Sequence, residues 1–315
     1  MVKVAVIGCG LVGRAWAIAF ARAGHQVALW DGVSEAPANA IAFIRAVLPD
    51  LQTNDLLGGR EPDAVIDAIH VADSLGEALA DATHVQENVP EDLAVKQAMF
   101  AELDAAAPAD AVIASSTSAL LPSLFTEGLA GRARCLVAHP LNPPYLIPAV
   151  EVVPAPWTAP HVVTRTADFL AACGQAPIVM KRELDGFIMN RLQGALLEEA
   201  FRLVAEGHAS AEDVDVGLRD GLALRWSFMG PFETIDLNAP GGVRDYVTRY
   251  QSIYENIFEQ TRHRVDWTGP VVDSVERDRR ARLLQADLTK RHRWRDRRLM
   301  ALAAHKRRAA KDIGE

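Results

Sequence analysis

The segment Gly8-Cys9-Gly10-Leu11-Val12-Gly13 follows a run of β-branched residues and precedes an alanine-rich stretch. A G-x-G-x-x-G sequence in this position predicts a strand-to-helix turn that binds a dinucleotide. The first glycine permits the tight turn, the second lets the backbone approach a pyrophosphate, and the third allows close packing of helix and strand. The alternative is a tight turn without a ligand. The residues expected to line the site are Gly8, Gly10, Leu11, Val12 and Gly13.

Asp31 ends the next predicted strand, 18 positions after Gly13. A carboxylate at this position accepts hydrogen bonds from the adenosine ribose hydroxyls and repels a 2′-phosphate. Gly32, Val33 and Ser34 follow, and none of them can offset that charge. The pattern favours NAD over NADP, and the alternative is an ordinary turn residue that ends a strand.

Short β-branched runs alternate with longer alanine-rich stretches in the first half of the chain, which predicts βαβ units and a mainly parallel sheet. The predicted strands are residues 2–7, 27–30, 84–87, 111–114, 135–138, 150–153 and 178–180. From Asp185 onward, apolar residues recur every three or four positions, as in helices. Ser210 and Asp213 predict a capping box at a helix start. We therefore predict an α/β Rossmann-type domain over residues 1–184 and an all-α C-terminal domain over residues 185–315.

The three cysteines, Cys9, Cys135 and Cys173, are widely spaced and form neither a disulfide framework nor a metal-ligand pattern. No apolar stretch approaches the roughly 20 residues that span a bilayer. We therefore expect a cytoplasmic protein without a membrane segment or a bound metal.

Charge is unevenly distributed along the chain. Residues 271–315 contain 14 Lys or Arg and 7 Asp or Glu, whereas the whole chain has a net charge of −8. A basic tail can bind nucleic acid or anionic lipid, but basic, acidic and apolar residues alternate after Arg291 as they do in an exposed helix. We favour the solvated helix over a nucleic-acid role.

Four further stretches accompany the glycine motif. They are residues 85–96 (VQENVPEDLAVK), 114–118 (ASSTS), 138–144 (AHPLNPP) and 185–192 (DGFIMNRL). With their spacing, and with Glu151 twelve residues after His139, they resemble the 3-hydroxyacyl-CoA dehydrogenase superfamily from residue 3 to about residue 260. The resemblance implies an NAD-dependent oxidation of a secondary alcohol.

That oxidation needs a base for the hydroxyl proton, and the near-neutral pKa of histidine suits this role. His139 follows a predicted strand, at the carboxyl edge where open α/β sheets bind ligands. Glu151 is expected to orient the imidazole and to stabilise its charged form. The alternative for His139 is a packed loop residue before Pro140.

The resemblance also implies roles for other polar residues. Ser118 and Asn190 would hydrogen-bond the reacting oxygen or the surroundings of the histidine, and Glu91, Lys96 and Asn142 would contact the nicotinamide–ribose side of NAD. Ser118 has an alternative role as a helix cap. For Glu91 and Lys96 the alternative is an ordinary surface helix start.

Acyl-CoA members of the superfamily carry lysines after the second strand, but this chain has no lysine between Lys3 and Lys96. The sequence is more similar to the lambda-crystallin branch, whose enzyme members are L-gulonate 3-dehydrogenases. The matching stretches are residues 86–91 (QENVPE), 118–123 (SALLPS), 139–145 (HPLNPPY) and 230–239 (GPFETIDLNA). Residues 224–230 (LRWSFMG) are also similar to L-carnitine dehydrogenases. We therefore expect a free 3-hydroxy acid as the substrate.

Arg225 is the candidate anchor for the substrate carboxylate, because its planar guanidinium can form two parallel hydrogen bonds. The alternative is a structural salt bridge. Trp226 and Phe228 could contact the trimethylammonium group of carnitine, so L-carnitine is an alternative to L-gulonate. 3-Hydroxybutyryl-CoA is a further alternative. A lens-type structural role without catalysis is a further alternative, although Ser118, His139, Glu151 and Asn190 are all present.

Members of the superfamily commonly dimerise through the helical domain. The resemblance therefore implies a homodimer formed through this domain.

The position of Asp31 generates a prediction about cofactor choice. NAD should be preferred over NADP by at least about tenfold in kcat/KM, and Asp31→Ala should narrow the difference because it removes the repelling charge. Steady-state kinetics with both cofactors measure this preference. Equal use of the two cofactors by the unmodified protein would contradict the role of Asp31.

Overall fold

A computed structural model describes residues 1–314 of the chain. The chain forms two compact units, one of Met1–Asn190 with the segment from Trp294 onward, and one of Arg191–Arg293. The predicted boundary after residue 184 stays a prediction. The prediction placed all later residues in the helical domain, whereas the segment from Trp294 onward contacts the first unit.

One sheet of eight strands forms the centre of the first unit. The strands are β1 Lys3–Ile7, β2 Gln26–Trp30, β3 Ile69–Val71, β4 His84–Glu87, β5 Val112–Ser115, β6 Cys135–Pro140, β7 Ala149–Pro154 and β8 Ala176–Val179. Their order in the sheet is β3-β2-β1-β4-β5-β6-β7-β8. The mainly parallel Rossmann-type sheet is thereby confirmed. Strand β3 was not predicted, because its three residues are too few to show a period.

Strand direction changes once across the sheet. Neighbouring strands run parallel except for β6 and β7, which pair in antiparallel fashion. Only eight residues, 141–148, separate β6 from β7, and these are too few for the crossover that a parallel pair needs. The change of direction places residues of β6 and β7 directly opposite one another.

Helices cover both faces of the sheet. They are α1 Leu11–Arg22, α2 Ala36–Thr53, α3 Pro62–Ile66, α4 Leu75–Leu79, α5 Leu93–Ala106, α6 Pro122–Thr126 and α7 Pro160–Ala172. Two separate apolar cores result, one including Trp16 and Phe20 of α1 and the other including Phe100 of α5. Because both faces are covered, the central strands consist of almost uninterrupted buried residues.

The second unit is helical, as predicted. Its helices are α8 Met189–Ala205, which starts in the first unit, then α9 Ala211–Val216, α10 Ala223–Trp226, α11 Pro231–Leu237, α12 Gly242–Gln260 and α13 Pro270–Arg282. The predicted capping box at the start of α9 is confirmed, since Ser210 and Asp213 exchange side-chain and backbone hydrogen bonds. Few residues of this unit are buried.

The basic tail forms helix α14, Leu288–Ile313. Its later part packs on the first unit: Met300 is 1% exposed within the core there, and Arg297 and Arg307 pair with Asp50 and Asp55 at 2.9 and 2.8 Å. Most residues of this part are exposed, as predicted for a solvated helix, while one apolar side chain and two ion pairs hold it against the first unit. None of the helices in the described part of the chain is long and apolar enough to cross a lipid bilayer.

Candidate active site

The glycine motif forms the turn between β1 and α1. Gly8 has a φ of +91°, and a Cβ there would lie 2.8 Å from the backbone of Asn88. A Cβ on Gly13 would lie 1.8 Å from the carbonyl oxygen of Gly8. A Cβ on Gly10 would meet open space, beside the uncapped N-terminus of α1. Gly8 and Gly13 are thus required by the turn itself, and Gly10 leaves room where a pyrophosphate would lie.

Asp31 lies at the end of β2, beside this turn. Its carboxylate accepts hydrogen bonds from the backbone N–H of Cys9 at 2.6 Å and of Val33 at 2.8 Å. Burial, together with the charge of Asp31, raises the pKa of the Cys9 thiol to about 12. Asp31 therefore also holds the glycine turn, and Cys9 stays protonated. The open position at Gly10 and the nearby acid fit a bound NAD.

His139 and Glu151 form a buried pair. They are directly opposite in the antiparallel ladder of β6 and β7, and Nδ1 of His139 lies 2.7 Å from Oε2 of Glu151. The two side chains are 5% and 0% exposed. Among the described residues, Nε2 of His139 has no hydrogen-bond partner. The pairing orients the imidazole with Nε2 left to act on a substrate.

The other carboxylate oxygen of Glu151 binds the start of α8. It accepts hydrogen bonds from the backbone N–H of Ile188 at 2.6 Å and of Met189 at 2.8 Å. Burial acts to raise the pKa of Glu151, but the hydrogen bonds from His139, Met189 and Ile188 outweigh it and lower the pKa below its usual value. Glu151 is therefore a carboxylate that can stabilise a charged imidazole.

Phe187 shapes this site without being found from the sequence. Its φ is +49°, which is uncommon for a bulky side chain and costs about 1–3 kcal/mol. The turn aims the next two backbone N–H groups at Glu151. The buried Phe187 ring lies 5.6 Å from the His139 ring. The only sequence signal was its place in the DGFIMNRL stretch.

Ser118 and Asn190 lie next to one another. Ser118 is exposed in the segment that follows β5, and its carbonyl oxygen accepts a hydrogen bond of 2.6 Å from Nδ2 of Asn190. The helix after this segment, α6, starts without a side-chain cap, which removes the alternative of a capping role for Ser118. Their contacts with substrate stay a prediction.

Lys96 differs from its expected role. Its ammonium donates to both carboxylate oxygens of Glu87, at 2.9 and 3.1 Å, and to the carbonyl oxygen of Val89 at 3.2 Å. Lys96 and Glu87 are 1% and 0% exposed. Burial raises the pKa of Glu87, while Lys96 and Ser115 act against that rise. All three ammonium protons are used inside the protein, so the structure does not support a direct contact between Lys96 and the cofactor.

Three further residues were predicted to bind the cofactor or the substrate: Glu91, Asn142 and Arg225. Glu91 accepts hydrogen bonds from the segment that carries Ser118, and Asn142 is exposed just after β6. Arg225 lies in α10 of the second unit and is half-buried. Among the described residues it has no ion-pair partner, which disfavours its alternative role as a structural salt bridge.

Two models of one enzyme family match consecutive parts of the chain. Residues 3–183 match the model of the 3-hydroxyacyl-CoA dehydrogenase NAD binding domain, and residues 186–276 match the model of the C-terminal domain of the same enzymes. The chain belongs to the 3-hydroxyacyl-CoA dehydrogenase family. It is an NAD-dependent oxidoreductase that acts on CH–OH groups, and the resemblance in the sequence is confirmed.

The chain is similar to several individual proteins of known name. The chain is 40% identical to the lambda-crystallin homolog of Rattus norvegicus over 95% of both chains. It is 43% identical to the L-carnitine dehydrogenase of Streptomyces griseus over 75% of this chain and 69% of that one. A crystal structure of 5-formyl-3-hydroxy-2-methylpyridine 4-carboxylic acid 5-dehydrogenase, an NAD+ dependent dismutase, aligns over 99% of both chains with a TM-score of 0.83 and 26% identity.

The His139–Glu151 geometry generates a prediction about the base. His139→Gln should lower kcat by about 10²–10⁴-fold, the range expected when general acid–base catalysis is lost. NADH binding, measured by fluorescence, should stay nearly unchanged. His161→Gln is the matched control, since His161 is exposed on α7. Turnover within about tenfold of the unmodified enzyme would place the proton acceptor elsewhere.

Proposed function

We propose that this enzyme oxidises the 3-hydroxyl of a small free hydroxy acid, with L-gulonate, converted to 3-dehydro-L-gulonate, as the first candidate. The observation that carries the chemistry is the His139–Glu151 pair, with Nδ1 bound at 2.7 Å. Nε2 of His139 then takes the hydroxyl proton, and Glu151 stabilises the charge that forms on the imidazole. Bound NAD supplies the acceptor for the hydride.

Ser118 and Asn190 complete the proposed catalytic group. Ser118 follows β5 and Asn190 opens α8, and the hydrogen bond from the Asn190 side chain to the backbone carbonyl of Ser118 holds the two segments together. We assign to them hydrogen bonds with the reacting oxygen. The retention of this group with His139 and Glu151 favours an active enzyme over a crystallin-like structural protein.

The choice of a free acid rests on two observations. The stretch after β2, where acyl-CoA members carry lysines, has none up to Lys96. The guanidinium of Arg225 has no ion-pair partner among the described residues and suits a carboxylate. The similarity to the lambda-crystallin homologs favours L-gulonate.

L-carnitine is the second candidate, favoured by a specific feature. Trp226 and Phe228 flank the Arg225 segment and are 40% and 68% exposed. Exposed aromatic faces attract a quaternary ammonium group. The relative that is an L-carnitine dehydrogenase points in the same direction.

The substrate assignment predicts that a free 3-hydroxy acid is oxidised far better than a CoA thioester. The test is NAD reduction with L-gulonate, L-carnitine, 3-hydroxybutyrate and 3-hydroxybutyryl-CoA. Arg225→Met should raise KM for the acid by about 30- to several-thousand-fold, because an anchored carboxylate loses its charge-assisted partner. NAD affinity should hardly change.

Arg219→Met is the matched control, since Arg219 is exposed and pairs with its neighbour Asp220. Efficient turnover of 3-hydroxybutyryl-CoA with none of the free acids would contradict the assignment. Activity on none of the four compounds would favour the structural role.

We further propose that the enzyme is a homodimer formed through the second unit. Only five residues of this unit are buried: Arg202, Ala211, Thr234, Ala239 and Val271. Helix α12 has no buried residue over its 19 positions. Its exposed apolar side chains lie on one face, at helical spacing: Val243, Val247, Tyr250, Ile253, Tyr254, Ile257 and Phe258.

A second copy of the chain suits this face. The face is continuous over a helix about 28 Å long, at 1.5 Å per residue, and exposed apolar patches of this extent mark protein interfaces. Helix α11 packs beside α12 and carries two further exposed apolar residues, Phe232 and Leu237. A stable interface buries roughly 800 Å² per partner.

Sedimentation velocity tests the dimer. Ile253→Glu should shift the protein from dimer to monomer, because it buries a charge in the proposed interface. Ser252→Glu adds the same charge on the opposite side of α12 and should leave the dimer intact. A monomeric unmodified protein would contradict the proposal.

A further inference from the structure

Ser116 directly follows β5, and its hydroxyl joins α1 to β4. Its oxygen accepts hydrogen bonds from the indole N–H of Trp16 at 3.0 Å and from Nε2 of Gln86 at 2.8 Å. Its proton is donated to Oδ1 of Asn88 at 2.8 Å. Ser116 is 9% exposed, and Trp16 and Gln86 are fully buried. A hydroxyl has one proton and two lone pairs, so this one uses its full hydrogen-bonding capacity inside the protein.

The direction of the hydrogen bond to Asn88 is fixed by the neighbours of the hydroxyl. An indole N–H can only donate. The Gln86 amide is oriented at both ends, because Oε1 faces Nε2 of His84 at 3.0 Å and Nε2 also donates to the carbonyl oxygen of Ala138 at 3.3 Å. Nε2 of Gln86 therefore donates to Ser116 as well, which leaves Asn88 as the acceptor of the hydroxyl proton.

Asn88 connects this network with the glycine turn. Because Oδ1 faces Ser116, Nδ2 donates to the carbonyl oxygens of Ile7 at 3.1 Å and of Gln86 at 2.8 Å. The backbone N–H of Asn88 donates to the same Ile7 oxygen at 2.7 Å. Two donors of one residue therefore hold the peptide between Ile7 and Gly8, with which the turn begins. The opposite amide orientation would place Oδ1 of Asn88 against two carbonyl oxygens.

The turn itself is in close contact with Asn88. A Cβ on Gly8 would lie 2.8 Å from the backbone of Asn88, and a Cβ on Gly13 would lie 3.4 Å from Nδ2 of Asn88. A change in the orientation of Asn88 therefore acts directly on the two glycines that the turn requires.

We propose that Ser116 is a positioning residue for cofactor binding, which acts through the Asn88 amide to fix the glycine turn in the shape that receives the pyrophosphate of NAD. A loop that is ordered before binding loses less entropy when its ligand binds, and this raises affinity. The inference rests on NAD binding at the glycine turn and is independent of the hydroxy acid proposed above.

Ser116→Ala removes the donor that orients Asn88. The Kd for NADH, measured by fluorescence, should rise about tenfold, which corresponds to the net loss of one to two hydrogen bonds. ADP-ribose has the pyrophosphate but no nicotinamide, and its Kd, measured by competition with NADH, should rise by the same factor. A lowered Tm with both Kd values unchanged would make Ser116 a structural residue only. A weaker affinity for NADH alone would place its effect at the nicotinamide and would equally overturn the proposal.

Thr126→Val is the matched control. Thr126 is fully buried in α6, and its hydroxyl accepts the indole N–H of Trp157 at 3.0 Å, as Ser116 accepts that of Trp16. Loss of this hydroxyl should lower Tm, because a buried indole N–H loses its acceptor, and should leave both Kd values unchanged. An equal loss of affinity in the two variants would show general destabilisation and contradict the role of Ser116.

Asn88→Ala tests the route through the amide. In this background Ser116→Ala should add little to the Kd for NADH, since residues of one network have effects that are less than additive. Fully additive effects would contradict the route. Ser116→Cys keeps a side chain of similar size and serves if the alanine variant does not fold. Its thiol is a weaker donor, so the Kd should rise by a smaller factor, and an unchanged Kd would overturn the proposal.

Hydrogen–deuterium exchange of the cofactor-free protein measures the turn directly. In Ser116→Ala the peptide covering residues 8–13 should exchange faster, while the peptide covering α7, residues 160–172, should not change. Unchanged exchange over residues 8–13 would overturn the positioning role. None of these measurements needs a hydroxy acid, so a failure of the substrate assignment would leave this inference valid, and its own failure would leave the substrate assignment valid.

Discussion

The carboxylate of Glu151 joins parts of the first unit that are far apart in sequence. One oxygen binds His139 across the β6–β7 ladder, and the other binds two backbone N–H groups at the start of α8. The first contact requires that β6 and β7 run antiparallel in this register. The second requires the unusual backbone of Phe187. Without the carboxylate, two amides lose their acceptor and the imidazole loses its orientation, and an unsatisfied buried amide costs about 1–3 kcal/mol.

Buried polar side chains on both faces of the sheet converge on the segment after β4. On one face, Ser116 accepts from Trp16 and Gln86 and donates to Asn88. On the other face lies the Glu87–Lys96 pair. Fully satisfied networks of this kind make the surrounding structure rigid. The backbone against which Gly8 packs, and the segment that carries Glu91, are therefore fixed by groups that we do not expect to touch a ligand.

The sequence predicted much of this arrangement because period and motif are local properties. Buried strands, the glycine turn and the spacing of His139 and Glu151 can be seen along the chain, and the structure brings the last two together. Lys96 could not be assigned correctly, because its partner Glu87 lies nine residues away across a strand end, a loop and a helix start. The positive φ of Phe187 had no residue-type signal, since glycine or asparagine usually marks such positions.

Part of the positive charge of the C-terminal helix α14 is paired with acidic residues of the same chain. Its excess of basic residues allows nucleic acid or anionic lipid as a partner, but acids of the first unit pair with Arg297 and Arg307. Such exposed pairs contribute little, about 0–1 kcal/mol each. Burial of Met300 contributes more, because a fully buried methionine side chain is worth about 1.5–3 kcal/mol. The apolar contact therefore supplies most of the affinity of the helix for this surface, and the charges favour its register.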